Sequence, residues 1–449
     1  MRISIYTPDH RGAAKLTPTA DSVIESVRCL YNHEQGQGVE VEWLIGTNGN
    51  PADPVREIVI PENMLGFRYR IVHLPKNLEQ NVGALKAALC EIATGDYLLE
   101  LDSDDEFLPP TLIELVKAID RVKVDCGDPL DFIFSDALRV TDKDTDYLFG
   151  AHCGWKAKEY FGHKYNPTPP MNAANLYTIL HAPDHFRCWR REFYNQIGGY
   201  STDYPICDDM DLLQRTYLAG ANILHIDLVL YKYNVKSDGS NTWLQNVKEI
   251  QKVSASLGDR RLVQLIEAEA KRTGLPVVEL GGCKDTPNRL TIAYKGADID
   301  HDLRSGIPLD DNSVTAVFAQ DFLEHMEPCK GVDCRHFAGQ CVVGILEEIH
   351  RVLVPGGMFI ANTPSTNGDG AWGDPSHRSG WNMWSVNYYT EKNQAKFLGQ
   401  HAGEPKCKFV RHRAYEWFPS KWHEENNLKY LHFTLAALKP GVYGASTLR

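Results

Sequence analysis

The chain has 449 residues, of which 43% are hydrophobic and 24% charged, a balance typical of a globular protein with two or three domains. Its formal net charge of −12 argues against a protein that coats nucleic acid, because such binding depends on clustered Lys and Arg. No apolar run approaches the ~20 residues that span a bilayer. Residues 1–7 resemble a strand rather than a signal peptide. We therefore expect a soluble, cytoplasmic protein without a membrane segment.

Strands and helices alternate through the first part of the chain. Short β-prone runs and amphipathic stretches predict strands over 2–7, 39–46, 69–74, 97–101 and 131–135, and helices over 20–32, 82–94 and 111–122. This alternation predicts a parallel, doubly wound α/β sheet, in which ligands bind at the carboxyl ends of the strands. Residues 147–180 are predicted to form a long loop, and residues 186–220 to be largely helical.

A second α/β pattern follows a charged helical stretch at 246–273. Its predicted elements are strands at 276–280, 314–319, 357–362, 408–417 and 429–438, and a helix at 340–353. The sequence therefore predicts a first domain over 1–245, a helical linker over 246–275 and a second α/β domain over 276–449.

An acidic turn, Asp102-Ser103-Asp104, directly follows the apolar strand at 97–101. Carboxylates at positions i and i+2 can share a divalent metal, or one can bind the metal and the other a ribose. Mg²⁺ and Mn²⁺ prefer such oxygen ligands and bind diphosphates through few protein carboxylates. The alternative interpretation is a solvated acidic turn without a ligand.

This turn belongs to a longer series of motifs in the first part of the chain. In order, these are Asn81-Val82-Gly83, the stretch from Ala93 to Asp105, the stretch from Arg190 to Tyr200, and Asp208-Asp209-Met210-Asp211-Leu212. Together they resemble family 2 glycosyltransferases of the GT-A fold. The resemblance implies an α/β nucleotide-diphospho-sugar transferase domain that transfers a sugar from a nucleotide donor.

The resemblance also implies roles for individual residues. Asp104 would bind Mn²⁺ or Mg²⁺, with Asp102 beside it on the metal or the nucleotide, and Asp209 would be the catalytic base of a single displacement with inversion. A hydroxyl is a poor nucleophile, so a carboxylate must take its proton, while the metal stabilises the departing diphosphate.

Further donor and acceptor contacts follow from the same resemblance. The implied donor-binding residues are Thr7, Pro8, Asn48, Asn81, Lys86, Asp102, Ser103 and Lys236. The implied acceptor-side residues are Asp208, His185 and Trp155. The alternative for His185 and its neighbour Arg187 is a structural role, and the alternative for Trp155 is that it anchors the loop.

The sequence departs from the family pattern at two of these positions. Asn48 lies where the family often has an acidic residue. Lys236 lies where the family often has a histidine, and a lysine there would put a cation near the diphosphate. A UDP-sugar is the expected donor. The acceptor hydroxyl could belong to a glycan, a small molecule or a modified nucleic-acid base.

Motifs of the second part resemble class I, S-adenosylmethionine-dependent methyltransferases, which have a Rossmann-like fold. They lie at 277–282, 307–313, 322–325 and 351–357. The resemblance implies cofactor contacts from Glu279, Gly281, Gly282, Asp298 and Asp300. Fold alone does not fix activity, so three interpretations stay open. The second domain could be methyltransferase-like without activity, it could make the protein a bifunctional glycosyltransferase and methyltransferase, or the whole chain could be a scaffold with decayed sites.

Overall fold

A computed structural model describes residues 1–9, 16–47, 64–75, 81–148, 156–178, 183–236, 245–282, 286–329, 340–402 and 405–439. The chain divides into two compact units, one built on Met1–Arg261 and the other on Leu262–Val442. None of the helices in the described ranges is long and apolar enough to cross a membrane.

The first unit is a mixed α/β structure. Its strands are β1 (Arg2–Asp9), β2 (Glu40–Thr47), β3 (Phe67–His73), β4 (Tyr97–Glu100), β5 (Glu106–Phe107), β6 (Phe132–Thr141), β7 (Lys158–Tyr160), β8 (His163–Tyr165), β9 (Arg187–Arg190) and β10 (Ile223–Val235). Its helices are α1 (Leu16–Tyr31), α2 (Val82–Ile92), α3 (Thr111–Cys126), α4 (Ala173–Tyr177), α5 (Arg191–Gln196), α6 (Asp208–Leu218) and the start of α7 (Val247–Thr273).

The central sheet of this unit has the strand order β3-β2-β1-β4-β9-β6-β10-β5. Strands β1, β2, β3 and β4 are mutually parallel, so the predicted parallel sheet is confirmed for this half. Strand β9 instead inserts antiparallel between β4 and β6. The prediction that 186–220 is largely helical was therefore wrong for β9. This strand has only four residues and is followed directly by a helix, so it is too short to show the alternation of apolar and polar residues that identifies a strand. The predicted loop at 147–180 likewise contains β7, β8 and α4.

Burial explains why the first strands form. Seven of the eight residues of β1 are buried, as expected for a parallel strand that is covered on both faces. Helix α1 packs Val23, Val27 and Leu30 at helical spacing into the same apolar cluster as Ile3 and Ile5. The strand order reverses between β1 and β4. Such a switch point opens a crevice at the carboxyl ends of the two strands, where α/β sheets bind ligands.

Helix α7 covers the predicted helical linker, and the boundary between the two compact units falls inside it, after Arg261. In the first unit, Arg261 pairs with the carboxylate of Asp211 at 2.7 Å, and Tyr177 donates a hydrogen bond of 2.9 Å to Asp259. The part of this helix that belongs to the first unit, Val247–Arg261, thus contacts α4 and α6 near its end. The three-part division at 245 and 275 stays a prediction.

The second unit has its own sheet. Its strands are β11 (Val277–Leu280), β12 (Leu290–Ala293), β13 (Ile299–Asp300), β14 (Val314–Gln320), β15 (Leu353–Pro364), β16 (Phe409–Trp417) and β17 (Tyr430–Ala437). Its helices include the end of α7, followed by α8 (Val342–Val352), α9 (Gly370–Gly373), α10 (Met383–Thr390), α11 (Lys392–Ala402) and α12 (Lys421–Glu425).

This sheet has the order β13-β12-β11-β14-β15-β17-β16, parallel from β13 through β15 and antiparallel at β17. It confirms the predicted Rossmann-like fold class. The short strands β12 and β13 and the helices α10 and α11 were not predicted. The strand order reverses between β11 and β14, so this unit also has a switch point at its carboxyl edge.

Candidate functional site

The switch point of the first unit opens into a cavity of about 240 Å³. Most of the predicted site residues line it, although they come from separate parts of the chain. These are Pro8, Lys86, Asp102, Ser103, Asp104, His185, Asp208, Asp209 and Lys236.

The acidic turn after β4 forms one wall of this cavity. Its backbone is fixed at both ends, because the Thr19 hydroxyl donates to the Ser103 carbonyl at 3.0 Å and the Asp102 amide donates to the Tyr231 hydroxyl at 3.2 Å. The side chains of Asp102 and Asp104 stay 28% and 35% exposed, so both carboxylates can reach a ligand in the cavity.

Strand β10 is tied to this turn by the buried carboxylate of Asp105. Asp105 accepts hydrogen bonds of 2.9 Å from the Tyr231 hydroxyl and from the Asn234 amide. Burial and the neighbouring carboxylates raise the pKa of Asp105 well above its ordinary value. The end of β10 then brings the Lys236 ammonium to 2.5 Å from Asp104 Oδ2. Lys236 therefore lies at the acidic turn, and its predicted contact with a donor diphosphate stays a prediction.

His185 lies beside Asp102, although the sequence predicts it on the acceptor side. Its Nε2 is 3.8 Å from Asp102 Oδ2, and its ring stacks between the rings of Tyr231 and Tyr233 at centroid distances of 5.2 and 5.1 Å. Ligand atoms of Glu100, Asp102 and His185 lie within 4.8 Å of one another, a set that could hold a metal ion. No sequence motif signals this proximity, because it depends on the insertion of β9.

A buried ionic cluster lies behind the acidic turn. The Glu100 carboxylate contacts Lys86 Nζ at 2.5 Å, Arg187 Nε at 2.8 Å and Arg187 Nη2 at 3.1 Å. Burial alone would raise the pKa of Glu100, but the attraction of Arg187 and Lys86 outweighs it and lowers that pKa. One buried carboxylate thus faces two cations, so positive charge remains for further carboxylates. No sequence motif indicates Glu100 as a site residue.

Asp208 and Asp209, at the start of α6, lie next to the same two cations, Lys86 and Arg187. Asp209 Oδ2 accepts a hydrogen bond of 2.8 Å from Arg187 Nη1, while Asp208 Oδ2 lies 3.7 Å from Lys86 Nζ. Burial acts to raise the pKa of Asp209, but the charge and hydrogen bond of Arg187 lower it overall. Asp209 is therefore an ionised carboxylate whose side chain is 32% exposed to the cavity.

Asp208 has the opposite character. Its side chain is more deeply buried, and within the described ranges its Oδ2 has no hydrogen-bond partner. Burial raises the pKa of Asp208 to about 6, against the opposing effect of Lys86. Adjacent carboxylates with pKa values pushed apart are a common feature of sites where one group handles a proton.

Two other predicted residues, Thr7 and Asn81, are not among those that line the cavity. Thr7 is fully buried, and its hydroxyl accepts a hydrogen bond of 2.9 Å from Trp43 Nε1. Asn81 caps α2 by accepting from the Ala84 amide at 2.9 Å. Asn48 and Trp155 lie outside the described residues.

In the second unit, the predicted glycine turn follows β11. Gly281 has φ +76°, and a Cβ on it would lie 2.8 Å from Phe322 Cδ2, so both the backbone conformation and the space require glycine. Gly282 follows at the same edge. Glu279 is buried and accepts a hydrogen bond of 2.7 Å from Arg289 Nη1.

The predicted cofactor contacts Asp298 and Asp300 lie directly before β13 and at its end. Asp298 Oδ2 accepts hydrogen bonds from the amide and the hydroxyl of Thr291 at 2.9 and 3.0 Å. Asp300 accepts a bond of 3.2 Å from the Ala297 amide. Both carboxylates therefore shape their own turn, and both residues remain exposed.

The first unit has the α/β sheet and the acidic turn at its switch point that the motif resemblance to family 2 glycosyltransferases of the GT-A fold implies. In agreement, residues 10–198 match the model of Glycosyl transferase family 2, and residues 283–361 match that of a Methyltransferase domain. The two family resemblances read from the motifs are thus confirmed, and the first match supports glycosyltransferase activity. No curated protein matches the chain.

Several solved structures are also similar. Residues 1–349 of S. aureus TarS align with 14% identity and a TM-score of 0.40 over 60% of this chain and 72% of that chain. The same TarS fragment in complex with UDP-GlcNAc aligns with 13% identity and a TM-score of 0.40 over 60% and 73%. The mannosyltransferase PcManGT from Pyrobaculum calidifontis, in complex with GDP-Man and Mn²⁺, aligns with 16% identity and a TM-score of 0.35 over 61% and 75%.

Proposed function

We propose that the first unit is an inverting glycosyltransferase that moves a sugar from a nucleotide-sugar donor to a hydroxyl acceptor with the help of a divalent metal. The observation that carries this proposal is that a single cavity is lined both by Asp102 and Asp104 and by the pair Asp208 and Asp209. A donor diphosphate bound at the first pair would present its sugar toward the second.

The metal site would consist of Asp102 and Asp104, with His185 as a nitrogen ligand. Carboxylates with an imidazole suit Mn²⁺, and the carboxylates alone suit Mg²⁺. When bound, the metal stabilises the charge of the departing diphosphate. Lys236, which contacts Asp104, would then be available to bind a phosphate oxygen. The ammonium of Lys86 balances the negative charge of the carboxylates behind the turn.

The proton of the acceptor hydroxyl would go to Asp209. The exposed part of this side chain faces the cavity, and the Arg187 hydrogen bond fixes its orientation. Because Arg187 also keeps Asp209 ionised, the base is ready across the neutral pH range. Asp208 is a second candidate for the base, because its pKa of about 6 matches the optimum for general base catalysis more closely.

The finer assignments belong to the same proposal. We expect a UDP-sugar as donor and a glycan, a small molecule or a modified nucleic-acid base as acceptor. For the second unit we propose S-adenosylmethionine binding at the turn of Gly281 and Gly282, beside the switch point between β11 and β14. Tritiated S-adenosylmethionine retained by the wild-type chain in equilibrium dialysis, and lost in Gly281→Ala, would support this. No retention by the wild-type chain would favour a domain without the cofactor.

The first experiment is donor hydrolysis, which transferases catalyse slowly without an acceptor. A panel of nucleotide sugars is incubated with Mn²⁺, with and without chelator, and the released diphosphate is measured. We expect turnover of one donor that is lost with chelator and in Asp104→Ala. The matched control is Asp120→Ala, since Asp120 is an exposed aspartate on α3. The absence of both turnover and a donor-induced thermal shift across the panel would overturn the proposal and favour a scaffold.

A further inference from the structure

A second group of possible metal ligands lies in the second unit, where two of its residues belong to the motif at 322–325 but have been given no ligand so far. It consists of Glu324 and His325, on the 3₁₀ turn Leu323–His325 after β14, and of His377, on the segment after α9. One ligand atom from each of the three residues lies within 4.8 Å of the other two. The turn lies at the carboxyl edge of the sheet, because Phe322 also packs against the glycine turn after β11.

The carboxylate of Glu324 is the first indication that something binds here. The residue is only 1% exposed, and its Oε2 accepts a hydrogen bond of 2.9 Å from the Thr363 hydroxyl. Its Oε1 is buried and has no hydrogen-bond partner among the described residues. Burying a carboxylate oxygen without a partner is costly, so such an atom points to a ligand that it would contact.

The two histidines are oriented as metal ligands are. The Nδ1 of His377 lies 3.2 Å from the Ala371 carbonyl, and the Nδ1 of His325 lies 3.4 Å from the Ser376 carbonyl and 3.2 Å from the Ser376 hydroxyl. A proton on each Nδ1, donated to these oxygens, leaves each Nε2 with a lone pair. Metal-binding histidines characteristically donate their other ring N–H to a carbonyl or carboxylate in this way.

A fourth ligand is available from Asp374. Its Oδ2 lies 3.9 Å from His377 Nε2, and its side chain is half exposed. Its Oδ1 already accepts two hydrogen bonds from Ser376, which anchors the segment that carries His377. A purely structural pairing of the two imidazoles, whose centroids lie 5.0 Å apart, would leave Glu324 Oε1 unexplained.

From this geometry we propose that Glu324, His325 and His377, assisted by Asp374, form a binding site for a divalent transition metal such as Zn²⁺ or Co²⁺. Two imidazole nitrogens with one or two carboxylates favour these borderline ions, whereas Mg²⁺ and Ca²⁺ prefer oxygen ligands alone. The proposal does not rest on sugar transfer by the first unit.

The test is a Co²⁺ titration of the chelator-stripped, full-length chain, followed by the visible absorption of the bound ion. We expect the double variant His325→Ala/His377→Ala to bind one Co²⁺ per chain fewer than the wild type, and to show a smaller rise in melting temperature with Zn²⁺ than the wild type does. Mg²⁺ should not compete. Any metal bound by the first unit contributes equally to both proteins and cancels. The control His301→Ala changes a histidine of the same unit outside this group and should bind as the wild type does.

Equal stoichiometry in the wild type and the double variant would overturn the proposal. If the double variant does not fold, wild-type protein is modified with diethyl pyrocarbonate with and without Zn²⁺, and the modified histidines are identified by mass spectrometry. Protection of His325 and His377 by Zn²⁺ supports the site, and equal modification of both in the two samples refutes it.

Discussion

Replacing Asp209 by asparagine tests the proposed catalytic base directly. The change keeps the size of the side chain and an oxygen that can accept the 2.8 Å hydrogen bond from Arg187, but it removes the proton acceptor. Removal of a general base lowers rates by about 10²–10⁴-fold, or roughly 3–5 kcal/mol of activation free energy. Because the Arg187 hydrogen bond is weakened rather than lost, the free energy of unfolding should fall by only about 1 kcal/mol.

The assay is metal-dependent hydrolysis of the donor, with donor affinity measured in parallel by calorimetry. We expect Asp209→Asn to lose hydrolysis while it binds the donor as the wild type does. Asp203→Asn, an exposed aspartate on the segment before α6, is the matched control and should be fully active. A variant at position 209 that retains more than about a tenth of the wild-type rate would refute the assignment.

The pH profile of the wild type distinguishes the two adjacent carboxylates. A base works only when it is deprotonated, so activity is lost as the pH falls through its pKa. With Asp209 as the base, hydrolysis should stay level through pH 6 and below, because the pKa of Asp209 lies under its ordinary value. With Asp208 as the base, the rate should fall tenfold per pH unit below about 6. The second profile, together with an inactive Asp208→Asn, would move the role to Asp208.

Three further predictions concern the same site. Lys236→Met should tighten donor-free Mn²⁺ binding by about two- to fivefold in calorimetry, because Asp104 loses an ammonium 2.5 Å away; unchanged or weaker binding would contradict this. Glu100→Gln should lower the urea-measured free energy of unfolding at pH 7 by about 3–5 kcal/mol, since it leaves buried cations unpaired. The pKa of Glu100 is lowered on folding, so the wild-type advantage should shrink as the pH falls below about 4, and a constant difference would argue against the pairing. Gly83→Ala should destabilise by about 1–3 kcal/mol and reduce hydrolysis, because its Cβ would lie 2.7 Å from Asp208 Cβ; a stabilised variant would show that the contact relaxes freely.

Most of the fold could be predicted from local sequence motifs, and so could the acidic turn that forms one wall of the site. The strand before Asp102 and the glycine turn at Gly281 are continuous in sequence, so their hydrophobic period and turn residues identify them. The resemblance also indicates that Lys236, after the last strand of the domain, would lie near the donor diphosphate, and this stays a prediction.

The parts that could not be predicted depend on contacts between distant segments. Strand β9 is four residues long, and nothing in its sequence tells that it enters the sheet antiparallel between β4 and β6. Only that insertion brings His185 to Asp102 and Arg187 to Glu100. In the sequence, Glu100 looks like an ordinary polar residue at the end of a strand, because its charged partners lie in other segments of the chain.

The insertion of β9 also has a consequence during synthesis on the ribosome. Strands β4 and β6 do not pair with each other, because β9 lies between them and is synthesised later. Arg187, the first residue of β9, follows its partner Glu100 by 87 residues. Until that segment emerges, both strands present open edges, and Glu100 lacks one of its two cations. Open strand edges recruit other chains. We therefore expect nascent chains and truncated fragments that end before residue 187 to depend on chaperones and to aggregate when these are absent.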